Sequence, residues 1–328
     1  MQNFSDRINL KTDLIEISKS ICICYNLGDY ISYKVITVGY EDFNYILETS
    51  NTKYEVKIFN KDRTYENCIS YIQRIELAYN SGINFPKLYK MNESSLYILK
   101  IENVTYKICV FEYIEGDSFF DLGIIPSTEE LKEIIRQMSI IHKIDIKLDF
   151  IYDEWTPTNF KYEFEEKKQY IDTKYYDRIE KIYYKLSKID MEKLPHSFIH
   201  GDMITSNILK DKQGKIWIID FSVSNYLPRI VDLIVSSCNL CFIPNSKKET
   251  EDKIKILLNE YQKYNKLVKY ELEQFKTFFD LVNAMGLLQT SYQNGIGNNS
   301  KENEFWLNES VVGLQYNDEE FLKDLIFN

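Results

Sequence analysis

Three polar side chains that could bind a metal ion and accept a proton lie close together in the sequence. Asp202 and Asn207 belong to the stretch FIHGDMITSNIL, and Asp220 follows in IIDF. Carboxylate and amide oxygens suit a hard cation, and a carboxylate can also take the proton of a hydroxyl group. A simpler alternative is one buried aspartate that caps a turn, with the asparagine in another turn. The presence of all three groups favours the catalytic interpretation.

The segment between Asn207 and Asp220 predicts a β-hairpin. Residues 210–215 form a polar run with Gly214 near its end, and apolar residues lie on both sides. Folding this hairpin brings the Asn207 end of one strand beside the Asp220 end of the other. Asp202 precedes the first strand, so we expect all three groups at one end of the sheet.

The first third of the chain has the pattern of an antiparallel sheet. Residues 33–38, 43–49 and 54–59 have strand-like periodicity, and further strands are predicted at the segments 87–89, 96–101 and 107–113. The turn at 39–42 could lie over a phosphate group, although its single glycine is a weak signal. Lys57 is on the opposite face of its strand from both of its neighbours.

An apolar helix face predicted over residues 65–79 includes one carboxylate, Glu76, with Arg74 on the far side. A buried carboxylate is costly unless it is paired. Lys57 is the nearest plausible partner, and we therefore expect an ion pair between Lys57 and Glu76. Glu66 is the alternative partner, because the sequence does not determine the rotation of the helix.

The rest of the chain is predominantly helical, which predicts an α+β protein. We expect an N-terminal lobe at residues 1–112, a hinge at 113–118 and a helical lobe at 119–328. A helix start is predicted at Ser127, with acidic residues in the first turn. His142 lies on the apolar face of that helix and is expected to be a core histidine.

Composition excludes several classes of protein. The 328 residues carry a formal net charge of -10, with a pI near 5.1, which argues against a general nucleic-acid-binding protein. No apolar run is long enough to span a membrane, and the first residues do not resemble a signal peptide. We therefore expect a cytoplasmic protein whose cysteines are free thiols, at positions 22, 24, 68, 109, 238 and 241.

Together, a sheet lysine, a helical glutamate and the motifs H-G-D-x4-N and I-D-F resemble the protein-kinase-like fold. Gly201 stands where protein kinases have arginine, Ser222 follows Asp220-Phe221, and no A-P-E segment is found. These features resemble the aminoglycoside phosphotransferase and choline kinase family, which includes homoserine kinase-like and spore-coat kinase-like members. The similarity spans roughly residues 25–240 and is most specific at 196–234.

This resemblance implies an ATP-dependent (or GTP-dependent) and Mg²⁺-dependent kinase for a hydroxyl group of a small molecule. Asp202 would act as the catalytic base or orient the attacking hydroxyl, while Asn207 and Asp220 would hold Mg²⁺. Lys57 would contact the nucleotide phosphates, with Glu76 fixing its position.

Further positions follow from the same resemblance. The turn from Gly39 to Asn44 would cover the phosphates, and backbone groups from Glu112 to Ile114 would bind the adenine edge. His200 is expected to shape the catalytic loop, a direct catalytic role being the second possibility. A nucleotide-binding or scaffold protein without transferase activity is the alternative function. The acceptor and the oligomeric state remain open, and neither nucleic acid nor membrane is expected as a partner.

Overall fold

The chain forms two compact units. The computed structural model describes residues 4–36, 42–316, 318 and 320–322. The first unit comprises Met1–Gly116 and Asp211–Gln213, and the second comprises Asp117–Lys210 and Gly214–Asn328. The break after Gly116 falls inside the segment expected as a hinge, and the hinge itself stays a prediction.

The first unit is a sheet with two helices described beside it. Its elements are α1 (Leu14–Tyr25), β1 (Tyr30–Ile36), β2 (Phe43–Thr49), β3 (Lys53–Ile58), α2 (Tyr65–Asn80), β4 (Tyr97–Ile101) and β5 (Val104–Glu112). The five strands lie in the order β1-β2-β3-β5-β4 and all neighbours are antiparallel. The predicted sheet is therefore present, but the expected strand at 87–89 is reduced to an isolated bridge between Leu88 and Phe111.

Buried and partly exposed side chains alternate along β2, and the buried ones face α1. Tyr45 and Leu47 are completely buried in a cluster with Ile17 and Ile21 of α1. Successive strand residues point to opposite faces, so Asn44 lies on the other face of the sheet.

The rotation of α2 differs from the prediction. The helix begins after Thr64, whose side chain accepts a hydrogen bond from the Asn67 N–H. Arg74 is completely buried, whereas Tyr65 and Tyr79 are exposed. The guanidinium of Arg74 donates to the Ser70 carbonyl at 2.9 Å, within its own helix. A charged residue whose side chain has such a hydrogen-bond partner can lie on a buried face. The helical wheel instead places Arg74 on the exposed face.

The second unit is predominantly helical. Its elements, after β6 (Gly116–Ser118) at the boundary, are α3 (Phe119–Leu122), α4 (Thr128–Ile141), α5 (Phe160–Lys167), α6 (Thr173–Leu186), β7 (His196–Ile199), β8 (Ile208–Asp211), β9 (Ile216–Ile218), β10 (Asn225–Pro228), α7 (Ile230–Asn239), α8 (Lys247–Gln262), α9 (Lys269–Gly295) and α10 (Lys301–Tyr316). Within the described ranges, none of the helices has the length and apolar character needed to cross a membrane.

Two local predictions for this unit are confirmed. Ile208 of β8 pairs with Ile218 of β9 in the expected antiparallel hairpin, and Gly214 in its turn has a φ of +83°. At the start of α4, the Ser127 side chain accepts from the Glu130 N–H and the Glu130 carboxylate accepts from the Ser127 N–H. This reciprocal cap sets the first turn of the helix.

Helix α7 lies in the core of the second unit and packs along α9. Ile230, Val231, Leu233 and Ile234 are all essentially inaccessible to solvent, so the helix is buried on every side. Asp232 lies in the middle of this apolar run and is also completely buried. An ionised carboxylate in such a position needs several hydrogen-bond donors.

Candidate active site

Asp202 and Asn207 are in direct contact within the loop that joins β7 to β8. The Asn207 side-chain N–H₂ donates to the Asp202 carboxylate at 2.8 Å and to the Asp202 carbonyl at 2.9 Å. Because the amide nitrogen makes these bonds, the amide oxygen is left as an acceptor for a different group. The structure thus brings together the first two residues of the predicted set.

Asp220 lies at the end of β9, next to the same loop. The Ile219 N–H donates to the Asn207 carbonyl at 3.0 Å, which links the two chain segments. Asp220 has a φ of +62°, and its carboxylate accepts from the Ser222 N–H at 3.0 Å. This left-handed backbone conformation is uncommon for residues other than glycine. The structure around Asp220 must therefore stabilise it.

The carboxyl of Asp202 is in an environment that disfavours its charge. Burial raises its pKa to about 7, with further contributions from the negative charges of Asp153 and Asp220, while the hydrogen bond from Asn207 opposes the shift. Asp153 therefore lies close enough to act on Asp202. Burial also raises the pKa of Asp153, although its carboxylate accepts from the Trp155 N–H and from the Thr156 hydroxyl.

A buried carboxylate of α7 anchors the loop that carries Asp202. Asp232 accepts hydrogen bonds from the N–H groups of His200 and Gly201, at 2.8 and 2.7 Å, and from the His142 imidazole at 3.0 Å. Burial alone would raise the pKa of Asp232, but the hydrogen bonds from His142 and from the Gly201 N–H hold it below its usual range. In the sequence, Asp232 is a polar residue in an apolar helix and belongs to the segment P-R-x-x-D-L that contributes to the family resemblance, but its contact with the loop was not predicted.

Both histidines near the loop have structural positions. The Nδ1 of His200 accepts from the Asp202 N–H at 3.2 Å, and its Nε2 lies 3.0 Å from the Ile219 carbonyl. These partners require the tautomer with the proton on Nε2, and burial lowers the pKa of the ring so that it stays neutral. His142 is held between Asp232 and the Tyr261 hydroxyl, as expected of a core histidine.

Gly201 is required at its position in the loop. Its φ is +88°, and a Cβ atom there would lie 3.1 Å from the Val223 carbonyl oxygen. A side chain would therefore be strained in both conformation and space.

In the first unit, Lys57 forms an ion pair that the sequence did not predict. Its ammonium lies 3.7 Å from the Asp42 carboxylate and 5.0 Å from the centre of the Tyr71 ring. Asp42 is buried and also accepts from the Asn60 N–H and from Arg63, at 2.9 and 3.0 Å. Asp42 immediately precedes β2, which neighbours the strand of Lys57, and this strand order is the signal that could have identified it.

The expected pairing of Glu76 with Lys57 is wrong. Glu76 instead lies 3.0 Å from Lys90 and accepts from the Ser95 hydroxyl at 3.1 Å. Its side chain is 36% exposed, so it has no large burial cost that a partner must offset. The alternative, Glu66, is exposed in the first turn of α2.

Asn44 is directly opposite Lys57 in the β2–β3 pairing, so both residues lie on one face of the sheet. Its Oδ1 is buried and has no hydrogen-bond partner among the described residues. An acceptor of this kind fits a ligand with hydroxyl or amino donors, such as a nucleoside. Gly39, at the other end of the predicted phosphate-binding turn, lies outside the described residues.

The segment predicted to bind adenine follows β5. The Glu112 N–H donates to the Lys87 carbonyl at 2.8 Å, and its carboxylate accepts from the Lys87 N–H at 3.2 Å. Ile114 is buried, and its carbonyl accepts from the Gly116 N–H at 3.0 Å. These bonds give the segment a defined backbone conformation.

A metal ion at the loop would depend on few protein ligands. In the described part of the chain, no group of three or more His, Cys, Asp or Glu side chains is arranged to hold a metal. The Asn207 amide and the Asp220 carboxylate nevertheless supply oxygen donors near Asp202. This small set fits Mg²⁺, which commonly keeps water and phosphate oxygens in its coordination shell.

Comparison with known proteins identifies related enzymes. A model of the phosphotransferase enzyme family matches residues 32–264. Homoserine kinase from Zymomonas mobilis subsp. mobilis is 23% identical over 234 residues, which are 69% of this chain and 70% of that protein.

Solved structures share the fold. Spectinomycin phosphotransferase, in complex with ADP and spectinomycin, has a TM-score of 0.64 at 18% identity and covers 94% of this chain and 99% of its own. Choline kinase LicA from Streptococcus pneumoniae has a TM-score of 0.62 at 17% identity, covering 93% and 99%. The predicted α+β, protein-kinase-like fold is confirmed.

Proposed function

The chain belongs to the phosphotransferase enzyme family, and we propose that it transfers the γ-phosphoryl group of ATP to a hydroxyl group of a small molecule. The observation that carries this proposal is the contact between the Asp202 carboxylate and the Asn207 amide, 2.8 Å apart. Phosphoryl transfer depends mainly on positioning and on neutralising charge, with little covalent chemistry for the protein. The Asp202 carboxylate would position the acceptor, and the Asn207 amide would help to hold the metal ion that neutralises charge.

Asp202 is the group that we assign to the acceptor. Its carboxylate would orient the attacking hydroxyl and accept its proton. The hydrogen bond from the Asn207 amide restrains the Asp202 carboxylate directly. The hydrogen bonds that the N–H groups of His200 and Gly201 donate to Asp232 restrain the backbone beside it. Such a fixed position is what a group needs in order to align a nucleophile with a phosphoryl group.

Asn207 and Asp220 are the residues that would hold Mg²⁺. When bound, the metal would neutralise charge on the nucleotide phosphates. The hydrogen bond between the Ile219 N–H and the Asn207 carbonyl supports this assignment, because it keeps the two donor-bearing segments together.

In the first unit, Lys57 is the residue that we assign to the nucleotide phosphates. The ion pair with Asp42 and the contact with the Tyr71 ring place its ammonium on the Asn44 face of the sheet. Asn44 would contribute its polar side chain, and the backbone from Glu112 to Ile114 would bind the adenine edge. The ADP in the spectinomycin phosphotransferase structure supports an adenine nucleotide, with GTP as the alternative.

The test is ATP consumption by the purified protein with Mg²⁺ and a panel of hydroxyl acceptors: aminoglycosides, choline, homoserine, methylthioribose and hexosamines. We expect turnover with at least one acceptor and a loss of at least a hundredfold in kcat for Asp202→Asn. Asp177→Asn, an exposed position of α6, is the matched control. Equal turnover of both variants would contradict the role of Asp202. A melting temperature raised by Mg·ATP without transfer to any acceptor would instead favour a nucleotide-binding scaffold.

A further inference from the structure

Asp42 is held in place by residues from several parts of the first unit. Its side chain is 3% exposed, and its two carboxylate oxygens have different partners. One oxygen, Oδ1, accepts from the Asn60 N–H and from the Arg63 Nε, at 2.9 and 3.0 Å. The other, Oδ2, is the atom that lies 3.7 Å from the Lys57 ammonium. The loop at 60–63 therefore fixes one oxygen of the carboxylate while the other faces Lys57.

The backbone of Asp42 is held by the start of the chain. Residues Phe4–Ile8 form a short 3₁₀ helix, which we call the N-terminal segment. Its Arg7 guanidinium donates to the Asp42 carbonyl at 3.1 Å, across 35 positions of sequence. The Arg7 carbonyl accepts from the Lys61 N–H at 2.8 Å. Through these two bonds, Arg7 contacts both the residue that pairs with Lys57 and the loop that fixes its carboxylate.

Apolar packing also holds the N-terminal segment on the sheet. Ile8 is 2% exposed and belongs to the same apolar cluster as Phe43 and Tyr45 of β2. Phe43 directly follows Asp42 in the chain. Because Ile8 is already fixed by this packing, the neighbouring Arg7 loses less conformational entropy when it binds the Asp42 carbonyl.

The loop at 60–63 is fixed from the other side by β5. Lys107 of this strand donates to the Arg63 carbonyl, and it also donates to the Lys61 carbonyl at 3.3 Å. Within the loop, the Arg63 N–H donates to the Asn60 carbonyl at 3.0 Å. The donors that bind the Asp42 carboxylate therefore have defined positions.

The fixed carboxylate determines the surroundings of Lys57, whose side chain is 9% exposed. A buried ammonium is costly without an anion beside it, and Asp42 supplies that anion. Lysine side chains are also flexible, so an ammonium that is held in place before the nucleotide arrives loses less entropy on binding. Glu76 is engaged elsewhere, because its carboxylate lies 3.0 Å from Lys90.

We propose that Arg7, acting through Asp42, is a positioning residue for Lys57, so that nucleotide affinity depends on the N-terminal segment. Arg7 acts on the backbone of Asp42 and is assigned no contact with the nucleotide. It lies outside residues 32–264, the part of the chain that matches the family model, so this role does not follow from family membership. The inference rests on the proposed contact between Lys57 and the nucleotide phosphates, but neither on phosphoryl transfer nor on the identity of the acceptor.

Calorimetry with Mg·ADP tests this role without an acceptor. Arg7→Gln should raise the dissociation constant about fivefold, because the hydrogen bond from a charged donor to the Asp42 carbonyl is lost. Arg7→Lys, which keeps a cationic donor, should restore most of the affinity. Lys11→Gln removes the same charge at an exposed position four residues later and should leave the dissociation constant unchanged.

A second set of variants tests which carboxylate holds Lys57. Asp42→Asn should raise the Mg·ADP dissociation constant about tenfold, because the ammonium loses its anion. Asp62→Asn, at an exposed position of the same loop, should leave it unchanged, and Glu76→Gln should have a smaller effect than Asp42→Asn. Urea unfolding measured in parallel separates lost affinity from lost stability. If Asp42→Asn does not fold, the comparison of Arg7→Gln with its control decides alone.

A positioning role has a further consequence in a Lys57→Met background. The ammonium to be positioned is then absent, so Arg7→Gln and Asp42→Asn should have no further effect on the dissociation constant. A general structural defect would instead lower affinity by the same factor in both backgrounds.

Several results would overturn the inference. One is a dissociation constant for Arg7→Gln equal to that for Lys11→Gln, and another is an effect of Arg7→Gln that persists in the Lys57→Met background. A third is an effect of Glu76→Gln as large as that of Asp42→Asn.

The same measurements distinguish this inference from the proposed function. Weaker binding by Lys57→Met, with normal binding by Arg7→Gln and Asp42→Asn, would refute the positioning role and leave the proposed function standing. A normal dissociation constant for Lys57→Met would refute the assignment of Lys57 and this inference with it. The full expected pattern without phosphoryl transfer to any acceptor would support the positioning role and refute the transferase.

Discussion

The carboxylate of Asp232 and the N–H of Gly201 are 2.7 Å apart, although 31 positions separate them in the chain. The same carboxylate accepts a hydrogen bond from the N–H of the preceding residue, His200. The buried helix α7 therefore positions the backbone of the loop that carries Asp202 through the side chain of Asp232. Hydrogen bonds to an ionised acceptor are stronger than those between neutral groups, which suits this positioning role.

Asp232→Asn should destabilise the protein and lower its activity. The amide keeps the shape but presents N–H₂ to donors that need an acceptor, so we expect a loss of about 2–4 kcal/mol in the free energy of unfolding. Urea denaturation measures this loss, with Asp177→Asn as the control. A positioning role further predicts a fall in kcat larger than the change in nucleotide KM. If kcat fell and the nucleotide KM rose by the same factor, the variant would have a general structural defect.

Gly201→Ala should disturb the catalytic loop. The new Cβ would meet the Val223 carbonyl at 3.1 Å in a left-handed conformation, and we expect a cost of about 2–3 kcal/mol. Gly214→Ala is the matched control, because Gly214 has a similar φ of +83° and open space around it. Its cost should be about 1 kcal/mol. If the two variants had equal stability and equal kcat, the close approach to Val223 would be unimportant.

Lys57→Met should weaken nucleotide binding. Calorimetry with Mg·ADP is expected to show a dissociation constant at least tenfold higher, because the ammonium assigned to the phosphates is gone. Loss of the cation also leaves Asp42 with less compensation, so the variant should unfold at lower urea concentration. Lys53→Met, at an exposed position of the same strand, should change neither value. A normal dissociation constant for Lys57→Met would refute the assignment.

Stability should depend on pH through Glu309. Its pKa is about 7 in the folded protein and near 4.5 as the reference value for the unfolded chain. Between these values the folded state binds more protons, so the contribution of Glu309 to stability falls as pH rises and is most unfavourable above pH 7. Burial raises the pKa of the Tyr316 hydroxyl, and the negative charge of Glu309 raises it further. The hydroxyl therefore stays neutral in this pH range.

Glu309→Gln should therefore be more stable than the parent protein at pH 8, by roughly 1 kcal/mol once solvent screening is allowed for. At pH 5 the two proteins should differ little, since the parent carboxyl is then largely protonated. Urea unfolding at both pH values measures the difference, with Glu304→Gln as the control. An equal stability gain at pH 5 and pH 8 would show that charge is not the cause.

Local sequence signals were sufficient for some features and not for others. The β8–β9 hairpin and the cap at Ser127 are determined by residues within a few positions of each other, and both were predicted. The partner of Lys57 depends on which face of α2 is buried. That rotation follows from packing and from the internal hydrogen bond of Arg74, which the periodicity of the helix does not report.

Other features were not predicted from the sequence because they depend on contacts between residues far apart in the chain. Asp153 acts on Asp202 across 49 positions of sequence, and nothing near either residue indicates the proximity. The partners of Asp232 are His142, which directly follows α4, and the loop that carries Asp202, both far from α7 in the chain. The motif around Asp202 predicted a candidate site, while the residues that act on Asp202 and hold its loop became visible only in the fold.

The left-handed conformation of Asp220 has a thermodynamic consequence. A residue other than glycine there costs about 1 kcal/mol or more, and folding supplies that energy before any ligand arrives. The carboxylate is thus preorganised, so a cation that binds it does not have to reorder the backbone. By linkage, a substitution that loosens the end of β9 would weaken cation affinity even though every ligating atom is retained.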